Sequence, residues 1–535
     1  MKDSDWICSV TLLLCVAMSI YVFLRDTYRY WVDRGIPYLP PKLFYGNVGN
    51  MHRTESIGMM FQRFYHELTL KGRGPFGGVY YYMRPVAVVT DLDFLERILT
   101  KDFDYFENRG EYYNEKDDPL SAHLFNMEGD KWRALRNKLL PTFSTGNIDK
   151  MFPTIVAAAG QLYDFMNNNV NNESELEMKD LLARYTTDVI GMCAFGIECN
   201  SIKDPDVMFR KMGRKIFQSN SNKLKRCLIN VLPGLARKFR VKTTKPDVAD
   251  FFMTTVRETI DRIKKKEEER EKQNKQKDEE KDFMELLINL KPYGDDKPLS
   301  FNEIAAQAYV FYAAGFETSS ALLTWTLYEL ASNNNIQIQC RKHIQDILGQ
   351  HDGQLTYESI KDMVYLDQIF NEALRKYPTV PVHIREAKKD YQLPDSNTII
   401  EAGTKLFVPV LGIHRDKNIF PNPEEFDPNR FSPEEVEKRH RYAWTPFGEG
   451  RRKCIGNRFG LMQARIGLVY LLKNFEFSIG EKCIVPPEIE TKSFMLVPSG
   501  GLWLKVKRIA GYQKLPKIST KNKLNPPRYY TRQKK

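Results

Sequence analysis

One segment near the C-terminal end, Phe447 to Gly456, constrains this chain more than any other. It reads Phe-Gly-Glu-Gly-Arg-Arg-Lys-Cys-Ile-Gly, so Cys454 stands alone in a glycine-punctuated loop before an apolar, helix-compatible run over 457–468. Glycine permits close backbone approach and unusual dihedrals. Because the N–H groups and the dipole at a helix N-terminus favour an anion, the pattern predicts a lowered pKa for this thiol. It indicates a thiolate presented to a metal such as iron, with a buried free cysteine as the alternative.

The other cysteines do not form a recognisable metal or disulfide pattern. The chain has eight of them: Cys8, Cys15, Cys193, Cys199, Cys227, Cys340, Cys454 and Cys483. No two stand in C-x-x-C spacing, which argues against a zinc ribbon or an iron–sulfur cluster. Their scatter over 535 residues is unlike a secreted disulfide scaffold. We therefore expect a reduced, cytosol-facing domain.

An uncharged apolar run occupies residues 6–24. As a helix it would be about 28 Å long, close to the hydrocarbon thickness of a bilayer. The alternative is a cleaved signal peptide, which has a shorter apolar core and a small-residue cleavage site. A basic and aromatic segment that begins at Arg25 follows here instead. We predict an uncleaved anchor over 1–24, with the main body on the cytosolic side because positive charge lies C-terminal to the run.

Composition divides the rest of the chain into three parts. Residues 25–41 are basic and end in a stretch with three prolines, which predicts a stiff hinge. The body, 42–509, is predicted to be mainly helical, with extended segments near 78–90, 390–410 and 475–506. The last part, 510–535, holds eight Lys and Arg residues and no acid, so it supplies most of the net charge of +12. We predict a disordered basic extension, and therefore no nucleic-acid partner for the folded body.

Two further charged regions lie inside the body. Residues 264–281 are dense in Lys, Glu and Gln, which predicts a solvated helix end or a surface loop. Residues 210–242 mix basic and apolar side chains. They predict either an ordinary pair of amphipathic helices or a contact with the bilayer beside the anchor.

The longest helix candidate runs from residue 300 to 333. Ser300 and Glu303 form the S-x-x-E capping-box signature at its start. Gly315 lies in its middle at a cost of about 1 kcal/mol relative to alanine. Such a glycine indicates a packing or a functional reason.

Polar residues close to Gly315 suggest a catalytic role for this turn of the helix. Thr318 can donate its hydroxyl to the carbonyl of Ala314, four residues earlier, and open the helix locally. Glu317 places an acid in an otherwise apolar stretch. Together they predict a groove for a small ligand and a proton relay. The alternative is a core helix with a small-residue packing face.

Two residue pairs have helical spacing. Glu372 and Arg375, on a predicted helix over 365–376, lie on one face and can form an ion pair. Trp132 and Arg136 are four residues apart and share a face in the same way. Each pair taken alone is a weak signal, because most such pairs are ordinary surface or core contacts.

Taken together, these segments resemble the cytochrome P-450 superfamily, the haem-thiolate monooxygenases. The matching patterns are F-x-x-G-x-R-x-C-x-G at Phe447–Gly456, A-G-x-E-T at Ala314–Thr318, E-x-x-R at Glu372–Arg375, P-x-R-F at Pro428–Phe431 and W-x-x-x-R at Trp132–Arg136. Further phrases at Asp118–Phe125, Pro141–Gly146 and Leu374–Pro378 resemble family six, the insect microsomal enzymes. The resemblance covers roughly residues 31–509. It implies a mainly α (α+β) fold, with a large helical domain, small β-sheets and one N-terminal transmembrane helix.

The resemblance also implies roles for individual residues. Haem b would have Cys454 as the axial thiolate ligand of its iron, with Phe447 at the start of the ligand loop. The haem propionates would contact Trp132, Arg136, Arg452, Arg385 and Arg109. Dioxygen would occupy the groove at Ala314 and Gly315, with Thr318 and Glu317 as the catalytic proton donors. A structural lock would join Glu372, Arg375 and Arg430. Candidate substrate contacts are Phe125, Phe311, Ala314, Val380, Val382 and Met495.

The implied activity is an NADPH- and O2-dependent oxidation of lipophilic small molecules. Such substrates include xenobiotics, insecticides, plant toxins and endogenous hormones. The implied partners are NADPH–cytochrome P-450 reductase and, optionally, a cytochrome b, on the cytosolic face of the endoplasmic reticulum membrane. Two alternatives stay open: an enzyme that rearranges peroxides without a reductase, and a non-catalytic haem- or lipophile-binding protein.

Three features depart from the family pattern. Arg451 stands where proline is usual, and we expect it to add a cation near the propionates and to loosen the loop. Asn429 stands where glutamate is common, with a small expected effect. The extension over 510–535 runs beyond the usual family end, so the resemblance implies no role for it.

Overall fold

The computed structural model describes residues 2–72, 74–171, 173–218, 223–272, 282–290, 298–394 and 396–509. The predicted basic extension over 510–535 lies outside the described residues, as do residues 273–281 of the predicted charged segment 264–281.

Helices dominate the described part of the chain. They are α1 (Lys2–Asp33), α2 (Ile57–Lys71), α3 (Leu92–Glu96), α4 (Gly129–Leu139), α5 (Thr145–Lys150), α6 (Phe152–Asn169), α7 (Met178–Phe195), α8 (Met208–Phe217), α9 (Lys223–Val231), α10 (Pro233–Lys238), α11 (Pro246–Lys272), α12 (Phe283–Ile288), α13 (Phe301–Ser332), α14 (Asn334–Gln350), α15 (Tyr357–Asp362), α16 (Val364–Lys376), α17 (Val410–His414), α18 (Pro433–Glu437) and α19 (Asn457–Asn474). Several single turns of tighter helix connect them, including Pro428–Phe431 and Gly450–Arg452.

The strands are short and form small sheets. They are β1 (Phe76–Tyr81), β2 (Arg84–Val89), β3 (Glu173–Glu177), β4 (His383–Glu386), β5 (Tyr391–Gln392), β6 (Ile399–Ile400), β7 (Lys405–Val408), β8 (Phe475–Ile479) and β9 (Trp503–Arg508). In the described residues the largest sheet has the order β1-β2-β7-β4, with only β2 and β7 parallel. A second sheet has the order β3-β9-β8, and β5 pairs with β6.

Helix α13 forms the axis of the helical core. It packs against α7, α16 and α19, and its buried residues lie on every side of the helix. A helix that is apolar all round must be buried, which explains why the sequence places it at the centre. The predicted capping box is present, because Ser300 Oγ accepts from the Glu303 N–H and the Glu303 carboxylate accepts from the Ser300 N–H.

A second core lies between the largest sheet and the helices beside it. Phe61 and Phe64 of α2 pack against Val79, Val88 and Phe407 of the sheet. This core is separate from the one around α13. The predicted mainly helical architecture with small sheets is therefore confirmed, although the sequence did not predict β3 and β4.

The N-terminal helix is longer than the predicted anchor. One helix in the described residues, Trp6–Asp33, is long and apolar enough to cross a membrane by length and composition. Helix α1 continues to Asp33 without a break, so the predicted boundary at residue 24 is not a structural one. The segment 25–33, predicted to belong to a hinge, is helical. It contains neither glycine nor proline, the two residues that disfavour a helix most.

The end of this helix docks on the body. Trp31 is buried at 2% exposure, and its indole N–H donates to the Val79 carbonyl at 3.1 Å. The Tyr80 hydroxyl donates to the Tyr28 carbonyl at 2.8 Å. A side chain at Gly78 would collide with the Trp31 ring, so glycine makes room for it. The apolar helix is thereby attached directly to β1.

Candidate functional site

Two glycines shape the loop that carries Cys454. Gly448 and Gly450 have φ angles of 68° and 71°, a region that glycine adopts without strain. A side chain at Gly450 would also collide with the Leu99 carbonyl. The Cys454 N–H donates to the Phe447 carbonyl at 2.9 Å and closes the loop. As the sequence predicts, the loop presents one cysteine immediately before a helix, α19.

Cys454 is accessible although protein surrounds it. Its side chain is exposed, yet burial is the largest influence on the thiol and raises its pKa. The Gly456 N–H and Arg136 act in the opposite direction. The sulfur therefore faces an internal space and not bulk solvent. The prediction of a lowered pKa is wrong for the thiol without a metal, because the effect of burial on the pKa is larger than the opposing effect of the N–H groups. A bound metal cation would deprotonate a coordinating thiol outright.

Helix α13 is continuous from Phe301 to Ser332, so it is not opened at Thr318, but the side-chain bond that the sequence predicts there is present. The Thr318 hydroxyl donates to the Ala314 carbonyl at 2.6 Å. Ala314 is exposed although the neighbouring Ala313 is buried, so this turn of the helix also borders an internal space. A side chain at Gly315 would collide with Ile190 of α7, which supplies the packing reason for the mid-helix glycine.

Gln463 of α19 links the two halves of the site, and the sequence did not predict it. It is fully buried, and its amide nitrogen donates to the Gly315 carbonyl at 2.9 Å and to Ser319 Oγ at 2.7 Å. Its Oε1 atom has no hydrogen-bond partner. Gln463 thus joins the helix that follows Cys454 to the turn that carries Ala314.

Glu317 faces a different space from Thr318. It lines a cavity of about 340 Å³ together with Lys179, Asp180 and Arg210. Neither Thr318 nor Cys454 lines this cavity. Burial raises the pKa of the Glu317 carboxyl, and Arg210 and Lys179 oppose that shift. The acid and the hydroxyl that the sequence predicts as one relay therefore border two spaces on α13.

Arg452 is buried beside Cys454 and is held on several sides. Its guanidinium lies 3.7 Å above the Trp132 ring centroid. Its nitrogens donate to the carbonyls of Glu107, Leu124 and Met127 at 2.9, 3.4 and 2.8 Å. Arg452 therefore ties the cysteine loop to the segment 107–127.

The other predicted propionate contacts gather around Arg452. Arg136 lies on α4, Arg385 on β4 and Arg109 in the segment before α4. Their donors reach the backbone carbonyls of Lys453, Ile384 and Phe125 at 2.8, 2.9 and 2.8 Å, respectively. Arg109 also donates to the Arg452 carbonyl at 3.5 Å. The structure thus brings the four arginines together from four parts of the chain.

The four arginines have no acidic partner among the described residues. Within the described residues, none of the four guanidinium groups forms an ion pair with Asp or Glu. Burial and neighbouring arginines lower the pKa of Arg109 to about 10, of Arg385 to about 9 and of Arg452 to about 8. A guanidinium stays charged in proteins, so these shifts indicate a site that favours a bound anion. The Trp132 indole nitrogen is likewise buried without a partner. A dianionic group such as the two propionates of a haem fits these donors.

Arg451 does not join the cluster. Its side chain is 65% exposed and pairs with Asp104 at 3.4 Å, and it lies 5.5 Å from the Phe103 ring centroid. The expectation that it adds a cation near the propionates is therefore wrong. Because successive residues of the tight turn Gly450–Arg452 point in different directions, Arg451 faces solvent where Arg452 faces inward.

The three residues of the predicted lock lie together, with Glu372 and Arg375 buried and Arg430 half-buried. Arg375 Nε donates to Glu372 at 2.7 Å, and both side chains are fully buried. Arg430 Nε lies 3.4 Å from the same carboxylate. Arg375 also donates to the carbonyls of His414 and Glu425 at 3.0 and 3.2 Å. The lock therefore joins α16 to the turn Pro428–Phe431 and to α17.

The candidate substrate contacts separate into two groups. Phe125 and Ala314 are exposed, and Val380 is half-buried, so they border open space. Val382 is buried in the sheet core, and Met495 is buried against Ala321 and Val497. Phe311 stacks on Phe283 at a centroid distance of 4.2 Å and belongs to the helical core.

Fold and site together define a class: an α-rich protein whose loop cysteine and arginine cluster are placed where they would hold a haem. Comparison with known proteins agrees. The profile of the family described as "Cytochrome P450" matches residues 37–504. Probable cytochrome P450 6a21 of Drosophila melanogaster is 42% identical over 509 residues, which are 94% of this chain and 99% of that protein. Cytochrome P450 6A1 of Musca domestica is 41% identical over 502 residues, which are 92% of this chain and 96% of that protein.

The chain therefore belongs to the cytochrome P450 family. Its members are haem-thiolate monooxygenases, and the family implies a haem iron with a cysteine thiolate ligand. The relatives named above belong to the insect group that the sequence resembles, family six.

Proposed function

We propose that this protein is a membrane-anchored monooxygenase that oxidises lipophilic small molecules with dioxygen and electrons from NADPH. The observation that carries the proposal is the arrangement of two accessible residues, Cys454 and Ala314, on elements that Gln463 joins directly. The arginine cluster beside them supplies a site for a dianion.

The haem would be held at three places. Cys454 would bind the iron, the Trp132 N–H would donate to a propionate, and the cluster of Arg109, Arg136, Arg385 and Arg452 would neutralise both carboxylates. When bound, the haem supplies the activation of dioxygen. The protein orients the group, excludes water and manages protons.

Proton supply would come from two sides of α13. The Thr318 hydroxyl is held by the Ala314 carbonyl and lies at the space that Ala314 borders. Glu317 lines the polar cavity with Lys179, Asp180 and Arg210. Because burial raises the pKa of Glu317, its carboxyl is better able to carry a proton near neutral pH than an ordinary glutamate. We propose that Glu317 collects protons from this cavity and that Thr318 positions them.

The substrate would be lipophilic. The accessible candidates Phe125, Ala314 and Val380 are apolar, and an apolar pocket selects apolar ligands. Xenobiotics, insecticides, plant toxins and endogenous hormones all have this character, and the residues do not distinguish among them.

We further propose that the apolar helix lies in the endoplasmic reticulum membrane with the body in the cytosol. Positive charge after the apolar run supports this orientation. NADPH–cytochrome P-450 reductase, with a cytochrome b as an optional partner, would deliver electrons there. The presence of Thr318 favours this monooxygenase function over rearrangement of peroxides.

The first test is the carbon-monoxide difference spectrum of the dithionite-reduced protein in membranes. A strongly red-shifted Soret band is expected, and Cys454→Ala should abolish both this band and NADPH-dependent product formation. A histidine-type band in the folded, haem-supplied protein would overturn the assignment of Cys454. Haem binding without NADPH-dependent turnover would favour a binding protein.

A further inference from the structure

Two segments near the proposed substrate pocket meet at Leu496. The inference that follows rests on the proposed function, in which Val380 of the first segment borders the substrate pocket; the second segment carries Met495, a buried residue that the sequence predicts as a substrate contact. The Leu496 N–H donates to the Thr379 carbonyl at 3.3 Å, so 379–382 and 494–497 are neighbours. Met495 is buried against Ala321 of α13. Any shift of one segment would therefore change the space between them.

The carbonyl of Leu496 is held by α13. The Trp325 indole N–H donates to it at 2.8 Å, and Trp325 is 1% exposed. Both backbone polar groups of Leu496 are thus satisfied by residues from other elements. Loss of either bond would leave a buried polar group unpaired, which is costly.

The Trp325 ring is itself fixed by a stack. It lies parallel to the Tyr377 ring, with centroids 4.0 Å apart and an interplanar angle of 1°. Tyr377 directly follows α16, two residues before Thr379, so the stack also positions the other segment. Aromatic stacking adds specific geometry to the burial of the two rings.

A buried charge holds the stack in place. The Tyr377 hydroxyl donates to Glu329 Oε1 at 2.6 Å, and Lys376 Nζ lies 2.8 Å from the same atom. Glu329, on α13, is 2% exposed. A buried ion pair is a poor source of stability compared with apolar packing, but it can specify one arrangement of the groups around it. This network therefore favours one position of Tyr377.

We propose that Trp325, Tyr377 and Glu329 form a clamp that sets the spacing of the segments 379–382 and 494–497 and thereby determines which ligands the pocket accepts. These three residues are positioning residues, because they act through Leu496 and Thr379 and do not line the pocket themselves. A ligand large enough to contact both segments depends on the clamp. A ligand that contacts only the haem does not.

Two azoles of different size test the clamp in the full-length holoprotein. Imidazole is small, and 1-tritylimidazole is large enough to reach both segments; each is titrated by its shift of the Soret band. Trp325→Phe keeps an aromatic ring and removes the N–H. We expect it to weaken tritylimidazole binding about tenfold, as loss of a buried hydrogen bond would, and to leave imidazole binding within about twofold.

Thr326→Val is the matched control. Thr326 is the next residue on α13, is equally buried, and donates to the Leu322 carbonyl at 2.8 Å within the helix. It should leave both titrations unchanged. If Trp325→Phe yields no holoprotein, Tyr377→Phe, which keeps the stack and removes the hydroxyl, decides the question with the same pair of ligands.

The outcomes separate this proposal from the proposed function. Three results would overturn the clamp: unchanged tritylimidazole binding in Trp325→Phe, an equal loss of binding for both azoles in that variant, or an equal effect of Thr326→Val. In each case a red-shifted Soret band in the wild type would still support the haem-thiolate site. A wild type without that band would overturn the proposed function, and the clamp with it.

Discussion

At the scale of single residues, Thr318 offers a direct test of proton supply. Its hydroxyl is fixed on the Ala314 carbonyl, and Thr318→Val removes the hydroxyl while keeping the shape. We expect a several-fold fall in product formed per NADPH consumed, with more peroxide, because a positioned proton donor typically contributes at least 10²-fold to a step. Thr318→Ser should restore much of the coupling.

The control for this test is Thr326→Val on the same helix, whose hydroxyl bonds within the helix. Coupling should stay at the wild-type value there. Equal coupling in Thr318→Val and the wild type would remove Thr318 from proton supply.

Arg451 tests whether the departure from the family pattern matters. Since its side chain is 65% exposed and, among the described residues, forms an ion pair only with the exposed Asp104, Arg451→Pro should cost about 0–1 kcal/mol of stability. Haem content and the red-shifted band should be unchanged. Arg452→Lys, which cannot reproduce three separate donations and a ring stack, should lose haem. Loss of haem in Arg451→Pro would show that the loop depends on this arginine.

The predictability of the site differs from residue to residue. The bond from the Thr318 hydroxyl to the Ala314 carbonyl joins residues four apart on one helix, so the sequence predicts this contact correctly. Gln463 and Gly315 are separated by 148 residues, and nothing in the local pattern around Gln463 indicates their contact. The outward direction of Arg451 depends on the turn geometry of its loop, which residue types alone do not specify.

At the scale of elements, the lock on α16 should control whether the cysteine loop holds haem. Glu372→Gln removes the charge between two guanidinium groups, those of the buried Arg375 and the half-buried Arg430. Breaking a buried pair costs about 3–5 kcal/mol, so we expect little holoprotein and a lower denaturation midpoint. Glu424→Gln is the matched control, because Glu424 is 69% exposed and pairs with Arg415 at 3.3 Å. Equal midpoints for the two variants would contradict the structural role of the lock.

Only part of the lock is visible in the sequence. The spacing of Glu372 and Arg375 permits a pair, and a family resemblance adds Arg430. The backbone acceptors His414 and Glu425 depend on how α17 and the following loop return to α16. The same limit explains why β4 was not predicted: its four residues pair with β7, and so short a strand carries no period of its own.

Two histidines that bond the backbone of Thr445, the half-buried His383 and the buried His414, allow a prediction of how the cysteine loop responds to acid. His383 Nε2 bonds the Thr445 carbonyl at 2.8 Å, and His414 Nε2 accepts from the Thr445 N–H at 3.1 Å. Burial lowers the pKa of His383 to about 4 and of His414 to about 3. The unfolded state therefore binds more protons between these values and about 6.5. Their contribution to stability is complete above about pH 6.5 and falls as the pH drops toward 4.

The measurement is the free energy of unfolding of the holoprotein from pH 7.5 down to pH 4.5. The double variant His383→Gln, His414→Gln should be less stable than the wild type at neutral pH. Its free energy of unfolding should change less than that of the wild type over this pH range. If the free energy of unfolding of the double variant falls with pH as steeply as that of the wild type, groups other than these two histidines control the acid response.

At the scale of the whole molecule, helix α1 and the body form one connected unit. Arg34 pairs with Glu401, and the Tyr30 hydroxyl donates to Glu401 at 3.1 Å. Together with the docking of Trp31, these contacts fix the direction in which the apolar helix leaves the sheet. The sequence predicts an anchor and proline-rich residues after it. It does not predict this docking, because Trp31, Gly78 and Glu401 meet only once the sheet has formed.

A rigid attachment should protect the end of α1 from proteolysis. Trp31 packs on Phe76 at a centroid distance of 6.0 Å and fills the space above Gly78, so Trp31→Ala should cost about 3–5 kcal/mol of docking energy. In protein reconstituted in phospholipid vesicles, trypsin should then cleave after Arg29 and Arg34 at least about ten times faster than in the wild type, because cleavage requires local opening. Trp6→Ala, at a position 69% exposed on the same helix, should leave the rate unchanged. Equal cleavage rates in Trp31→Ala and the wild type would mean that the helix moves independently of the body and that this contact does not fix the direction in which the helix leaves the sheet.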